Sequence, residues 1–212
     1  MACAICDTRR PRRFCPGVSG DICSQCCGSE REVSVDCPLD CEYLQEARKR
    51  EKPAPVDLSE VPNRDIPVNE KLLRENEPLL TFLSNTIFRT AMDTPGVVDF
   101  DIREALDSLV RTYRTLQSGV YYESRPVNPL AAGIYEVVQD GLAEFRKAEH
   151  QRLGLTKTRD ADVLRLLVFF QHFELNQNNG RRRGRAFLDA LHRFYSPAPA
   201  ADGPPPSSLI LP

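Results

Sequence analysis

The chain has no tryptophan, two methionines and three histidines in 212 residues. Aromatic residues make up 8%, so no stacking platform for nucleic-acid bases is evident. Excess positive charge is also missing. The formal net charge of -2 excludes a protein held to nucleic acid by bulk basicity. Long hydrophobic runs are missing too. The longest, Val163 to Phe170, is broken by Arg165 and falls far short of a bilayer span. The first ten residues contain no apolar stretch of the secretory kind, so a cytoplasmic location is expected. There is no Gly-rich phosphate loop, no Gly-x-Ser-x-Gly elbow and no His-Glu-x-x-His. His150, His172 and His192 lack the neighbours of a catalytic or di-iron site. No enzyme, no small-molecule substrate and no membrane contact are expected. Arginine outnumbers lysine by 23 to 5. This fits the codon bias of a GC-rich, bacterial genome and says nothing about function.

Cysteine is absent from residues 42–212, yet all eight cysteines crowd into the first 41. They are Cys3, Cys6, Cys15, Cys23, Cys26, Cys27, Cys37 and Cys41. Clustered thiols in a chain without a secretory signal point to metal rather than disulfides. A tetrahedral zinc site takes four ligands, often as two close pairs. Cys3 with Cys6 and Cys23 with Cys26 have that spacing, and eight thiolates complete two sites. Gly17 and Gly28 stand where a chain turning around ligands needs freedom. Pro38 suits the first position of a helix from Leu39 to Glu51. That would put Cys37 at its cap and Cys41 on the same face, both favoured by the helix dipole. An iron–sulfur cluster is the competing chemistry, because Cys-Pro occurs twice (Cys15-Pro16 and Cys37-Pro38). A redox reading of Cys23-x-x-Cys26 lacks a surrounding βαβ pattern.

In the order of its pairs, this segment resembles cross-brace and treble-clef zinc modules such as the MYND and B-box families. The resemblance implies that Cys3, Cys6, Cys23 and Cys26 share one ion and Cys15, Cys27, Cys37 and Cys41 the other. The chain departs from those families in having adjacent Cys26 and Cys27 and no histidine in the module.

Four segments follow from composition. Residues 1–51 are the Cys-rich zinc module ending in a helix. Residues 52–67 carry four prolines and read as a linker. Residues 68–195 repeat apolar residues at helical spacing and read as an all-α bundle of five or six helices. Residues 196–212 carry six prolines and read as a disordered tail, in which Ser208 to Leu211 resembles a short docking motif. The fold class is therefore mainly α. Within the bundle, Asn69 and Asn128 are candidate caps, and Asp101 with Glu104 has capping-box spacing. Leu79, Leu80, Leu83, Ile87 and Met92 form one apolar face. The helix opened by Thr158 is apolar nearly all round and should be the central one. Tyr121, Tyr122, Glu123 and Asn128 connect two long helices and could line a groove.

Two arginine clusters are candidate phosphate contacts. Arg9, Arg10, Arg12 and Arg13 lie between cysteines. Arg181, Arg182, Arg183 and Arg185 lie between the last two helices. The leading expectation is a non-enzymatic adaptor with two structural zinc ions that works through another protein. Nucleic-acid binding through these arginines is the alternative, and an iron–sulfur electron-transfer or sensor protein is the third.

Overall fold

The computed structural model describes residues 2–51, 61–120 and 122–195, without the side chains of 194 and 195. Expectations for 52–60, Tyr121 and the tail 196–212, including Ser208 to Leu211, lie outside the described residues. The protein is mainly helical, with the cysteines gathered at its N-terminal end. No described helix is long and apolar enough to cross a membrane.

The N-terminal part begins with an antiparallel hairpin, β1 (Arg13–Cys15) and β2 (Gly20–Ile22), in which Phe14 faces Asp21. Two helices follow, α1 (Ser24–Ser29) and α2 (Glu42–Arg50). The bundle comprises α3 (Glu70–Glu75), α4 (Glu77–Asp93), α5 (Asp99–Gln117), α6 (Pro129–Leu153), α7 (Asp160–Gln177) and α8 (Ala186–Tyr195). The α7 helix packs on α5 and α8, α5 packs on α6, and α4 packs on α6 and α8.

Local chemistry accounts for most of the boundaries. The Asn69 side chain accepts from Leu72 N at 2.9 Å, and that of Asn128 accepts from Leu130 N at 3.0 Å. Gly119 and Gly154 follow their helices with φ of +79° and +72°, which a Cβ would disfavour. Two boundaries and one face residue differ from expectation. The α5 helix begins at Asp99, so Asp101 is its third residue. Its carboxylate accepts from Val98 N at 2.9 Å, which is the reverse half of a capping box. The α7 helix is capped at Arg159 rather than at Thr158, whose N–H is taken by Glu149. Met92 does not join the α4 face; it is half-exposed.

The core gathers Leu83 and Ile87 of α4, Ile102, Leu106 and Leu109 of α5, Ile134 and Val138 of α6, and Phe187 of α8 around α7. From Val163 to Phe170, α7 buries six of its side chains, as a central helix should. Its few polar groups are satisfied. Glu174 receives two N–H bonds from Arg103 at 2.8 and 3.1 Å. The ring Nε2 of His172 lies 2.7 Å from the Pro62 carbonyl, and Gln171 accepts from Asn63 at 2.7 Å. Ile66 and Val68 also pack against the core. The stretch from 61 to 67, expected as free linker, is thus fastened along the bundle.

Asp99 links α5 to α8. Its two carboxylate oxygens accept from Phe187 N at 2.9 Å and Leu188 N at 3.2 Å, so one residue starts its own helix and caps another. Burial pushes its carboxyl up to about 7, against the pull of those two N–H groups. Between about pH 4 and pH 7 the folded chain therefore holds a proton that the unfolded chain has released. The stabilisation from this proton is fully present below about pH 4 and is lost as pH rises through 7. Carboxyl carbon NMR should show Asp99 titrating near neutrality; a midpoint near 4 would contradict the assignment.

Candidate metal centre

Cys3 and Cys6 are placed by a tight knuckle. Cys3 N donates to Arg9 O at 2.9 Å, and Asp7 N to Cys3 O at 2.9 Å, with Asp7 at φ +53°. Ala4 N donates to Asp21 O at 2.9 Å and fastens the knuckle to β2. Cys23 and Cys26 come from the start of α1. Cys23 is its N-cap and accepts from Cys26 N at 3.4 Å. Cys3 Sγ accepts from Cys23 N at 3.2 Å. The sulfurs of Cys3, Cys6, Cys23 and Cys26 all lie within 4.8 Å of one another, and among the described residues no other set of possible ligands is drawn so close. A zinc ion with four thiolates at about 2.3 Å sets sulfurs about 3.8 Å apart. The quartet fits such an ion with little adjustment.

Its electrostatics also fit a cation. The Thr8 hydroxyl, with the N–H groups of Thr8 and Arg9, holds the Cys6 thiol down to about 5. The Cys26 N–H lowers Cys23. Burial, followed by the neighbouring sulfurs, pushes Cys26 up to about 12. Four thiols this close cannot all ionise alone, whereas a divalent ion lets every one do so. The nearby Arg9 guanidinium also favours the Cys23 thiolate. All eight cysteines are free of disulfides.

The other four cysteines line a second cavity but are not drawn within ligand distance of one another as the first four are. Cys15 ends β1, Cys27 lies in α1, Cys37 lies in the loop between helices, and Cys41 is the N-cap of α2. All four line one cavity of about 10 Å³, together with Ile22 and Leu44. That volume holds about one atom-sized occupant. Burial raises the Cys37 thiol, and Cys15 and Cys41 add to the rise by their charge. Arg13 and Arg31 donate to Cys27 Sγ at 3.7 and 3.8 Å, and Arg13 also stacks on Tyr43 at 3.8 Å.

Two local expectations are corrected. The helix expected from Leu39 begins only at Glu42, because Pro38 to Cys41 form a turn closed by Cys41 N on Pro38 O at 3.1 Å. Cys37 therefore lies outside the helix, and Cys41 takes the cap position. Gly28 sits in α1 with open space around it and needs no special freedom. Gly17 is needed for a different reason, close approach. A Cβ there would collide with the Asp36 carbonyl oxygen and come within 2.8 Å of Val35 Cγ1. Gly17→Ala should cost about 1–3 kcal/mol and weaken metal retention. Competition with a chromophoric chelator measures this; unchanged retention would contradict it.

The arginines divide sharply. Arg9, Arg10 and Arg12 are exposed on the knuckle loop. In the second cluster only Arg182 is exposed. Arg181 pairs with Glu51 at 2.6 Å and Glu32 at 3.4 Å, and Arg183 and Arg185 each lie 3.4 Å from Asp36. These acids all belong to the Cys-rich part. At the centre is Glu32, fully buried. Its carboxylate accepts from Arg48 at 2.6 Å, Asn179 at 2.8 Å and Arg185 N at 2.9 Å, and its carbonyl accepts from Arg183 N at 2.8 Å. Arg48 also reaches Asp189 of α8 at 3.1 Å. Sequence reasoning missed this junction. Its partners lie up to 153 residues apart, and no local pattern marks Glu32 rather than Glu30 as the buried one of the two glutamates between Cys27 and Cys37.

The other expected residues are ordinary. His192 stacks on Phe88, His150 is exposed, and Asn128 donates to Asp101 at 2.6 Å. Tyr122 is exposed. Compared with family models, curated proteins and solved structures, the chain matches none. The MYND and B-box resemblance therefore rests on its cysteines alone, and what stands is a Cys-rich cluster able to bind a metal ion.

Proposed function

We propose that this protein is a non-enzymatic adaptor or regulator, held in shape by two structural zinc ions and working by contact with another protein. The observation that carries the reading is the first quartet. Four thiolates around one ion leave no open position for water or substrate, so the metal is there to fold the chain. Cys15, Cys27, Cys37 and Cys41 hold the second ion around their shared cavity, with Arg13 and Arg31 offsetting the surplus negative charge of the thiolates. Zinc suits an all-thiolate, tetrahedral donor set without redox demands.

Nucleic-acid binding is the second reading. It is supported by the exposure of Arg9, Arg10 and Arg12 and weakened by the internal pairing of Arg181, Arg183 and Arg185. Crosslinking in the native host followed by mass spectrometry separates the two. The adaptor reading expects one protein crosslinked in stoichiometric amount, lost in Cys3→Ser. Crosslinks to nucleic acid alone, with a steep salt dependence of binding, would overturn it.

A further inference from the structure

Arg181, Arg183 and Arg185 form a basic segment whose charges are met by acids of the Cys-rich part. We propose that metal occupancy masks this segment: the metal-bound module holds Glu32, Asp36 and Glu51 against it, and loss of metal sets it free. The inference rests on the metal-binding reading above.

Three observations support the transmission. The first is that Glu32 lies between the ligand pairs, five residues after Cys27 and five before Cys37. Its φ of +53° is costly for a residue with a Cβ, so its place depends on what holds the loop. The loop is closed by Val33, Ser34 and Val35 N–H groups on Glu30 O and by the Arg31–Val35 bridge. Cys27 and Cys37 anchor its two ends.

The second is that the module has almost no core of its own. Apart from cysteines, its buried cluster contains Ile22, Val35 and Leu44. Three such side chains supply only a small hydrophobic stabilisation. Ordering about 40 residues of backbone costs several times that. Without an ion the Glu32 loop keeps only its own turn bonds and the Glu32 junction against that entropy.

The third is that the bundle holds α8 independently. The Phe187 and Leu188 N–H groups bond to Asp99, and both side chains are buried in the main core. The N–H groups of Arg183 and Arg185, two to five residues earlier, bond to Glu32 instead. Loss of metal should therefore release the Arg183 and Arg185 amides and the charges facing Glu32 and Asp36, while Gly184 O stays on Asp99 N, Arg185 Nε stays on Val97 O and α8 stays in place.

Amide hydrogen exchange on the full chain, with and without a strong zinc chelator, tests this at residue level. The expected result is loss of protection across 2–41 and at the Arg183 and Arg185 amides, by at least tenfold, with Phe187 and Leu188 still protected. Retained protection at Arg183 and Arg185 while 2–41 opens would overturn the masking. Loss at Phe187 and Leu188 as well would also overturn it, since the change would then be general unfolding. If 2–41 stays protected in chelator, the metal-binding reading itself fails, and that outcome is distinct from both.

Discussion

Chelation of the native protein is expected to unfold residues 2–41 while the bundle keeps its helices. Structural zinc contributes on the order of 10–16 kcal/mol per ion in small metal-folded modules. No packing term in the N-terminal part approaches that figure. Ile22, Val35 and Leu44 are its buried apolar side chains besides cysteine, whereas Leu39 belongs to the bundle core. The hairpin contributes only three residues on each strand, too few to persist alone. The bundle has its own core and needs no metal. Far-ultraviolet circular dichroism should therefore fall only modestly, since most helix lies beyond residue 68. Limited proteolysis should cut within 2–41 in chelator and spare 68–193. A protected N-terminal part after complete metal removal would contradict this. Acid should act in the same direction, because thiolate ligands must be deprotonated to bind.

The second large effect is expected at Glu32. Glu32→Ala should destabilise the protein by about 3–5 kcal/mol, the usual cost of stripping one partner from a buried charge network. Arg48 would be left buried at the junction, and Arg185 N and Asn179 would lose their acceptor. Glu32→Gln keeps the shape and the acceptor oxygen and should cost less than half as much. By contrast, Glu46→Ala should stay within about 0.5 kcal/mol, because its pairs with Lys49 and Arg50 are exposed. Urea unfolding of the three variants in metal-saturating buffer measures the series. Equal effects at Glu32 and Glu46 would show that the junction contributes no stability.

These expectations rest unevenly on what the sequence discloses. Helix existence and type could be read because apolar residues recur at 3.6-residue spacing, and because Asn69, Asn128, Gly119 and Gly154 do local jobs with local signatures. The capping-box spacing of Asp101 and Glu104 points to a start at Ile102, three residues after the observed start of α5 at Asp99. Asp101 can serve as either a cap or a third helical residue, and only the bond to Val98 decides between them. The α2 helix starts at Glu42 rather than Leu39 because Pro38 suits a tight turn as well as a first helical turn, and the Cys41 bond to Pro38 takes the turn.

At the candidate site, Cys3, Cys6, Cys23 and Cys26 were readable from two Cys-x-x-Cys spacings. The use made of the arginines was not. Arg181, Arg183 and Arg185 look like a free basic run in sequence, and their neutralising acids lie about 130 to 150 residues away. Contacts at that separation follow from tertiary packing, which periodicity does not encode.

Elemental analysis of natively purified protein, normalised to chain concentration, tests the central claim most directly. The account predicts a colourless protein with two zinc ions per chain, falling to one when Cys3 and Cys6 are both changed to serine. A protein without metal, or a brown preparation containing iron and acid-labile sulfide, would contradict it.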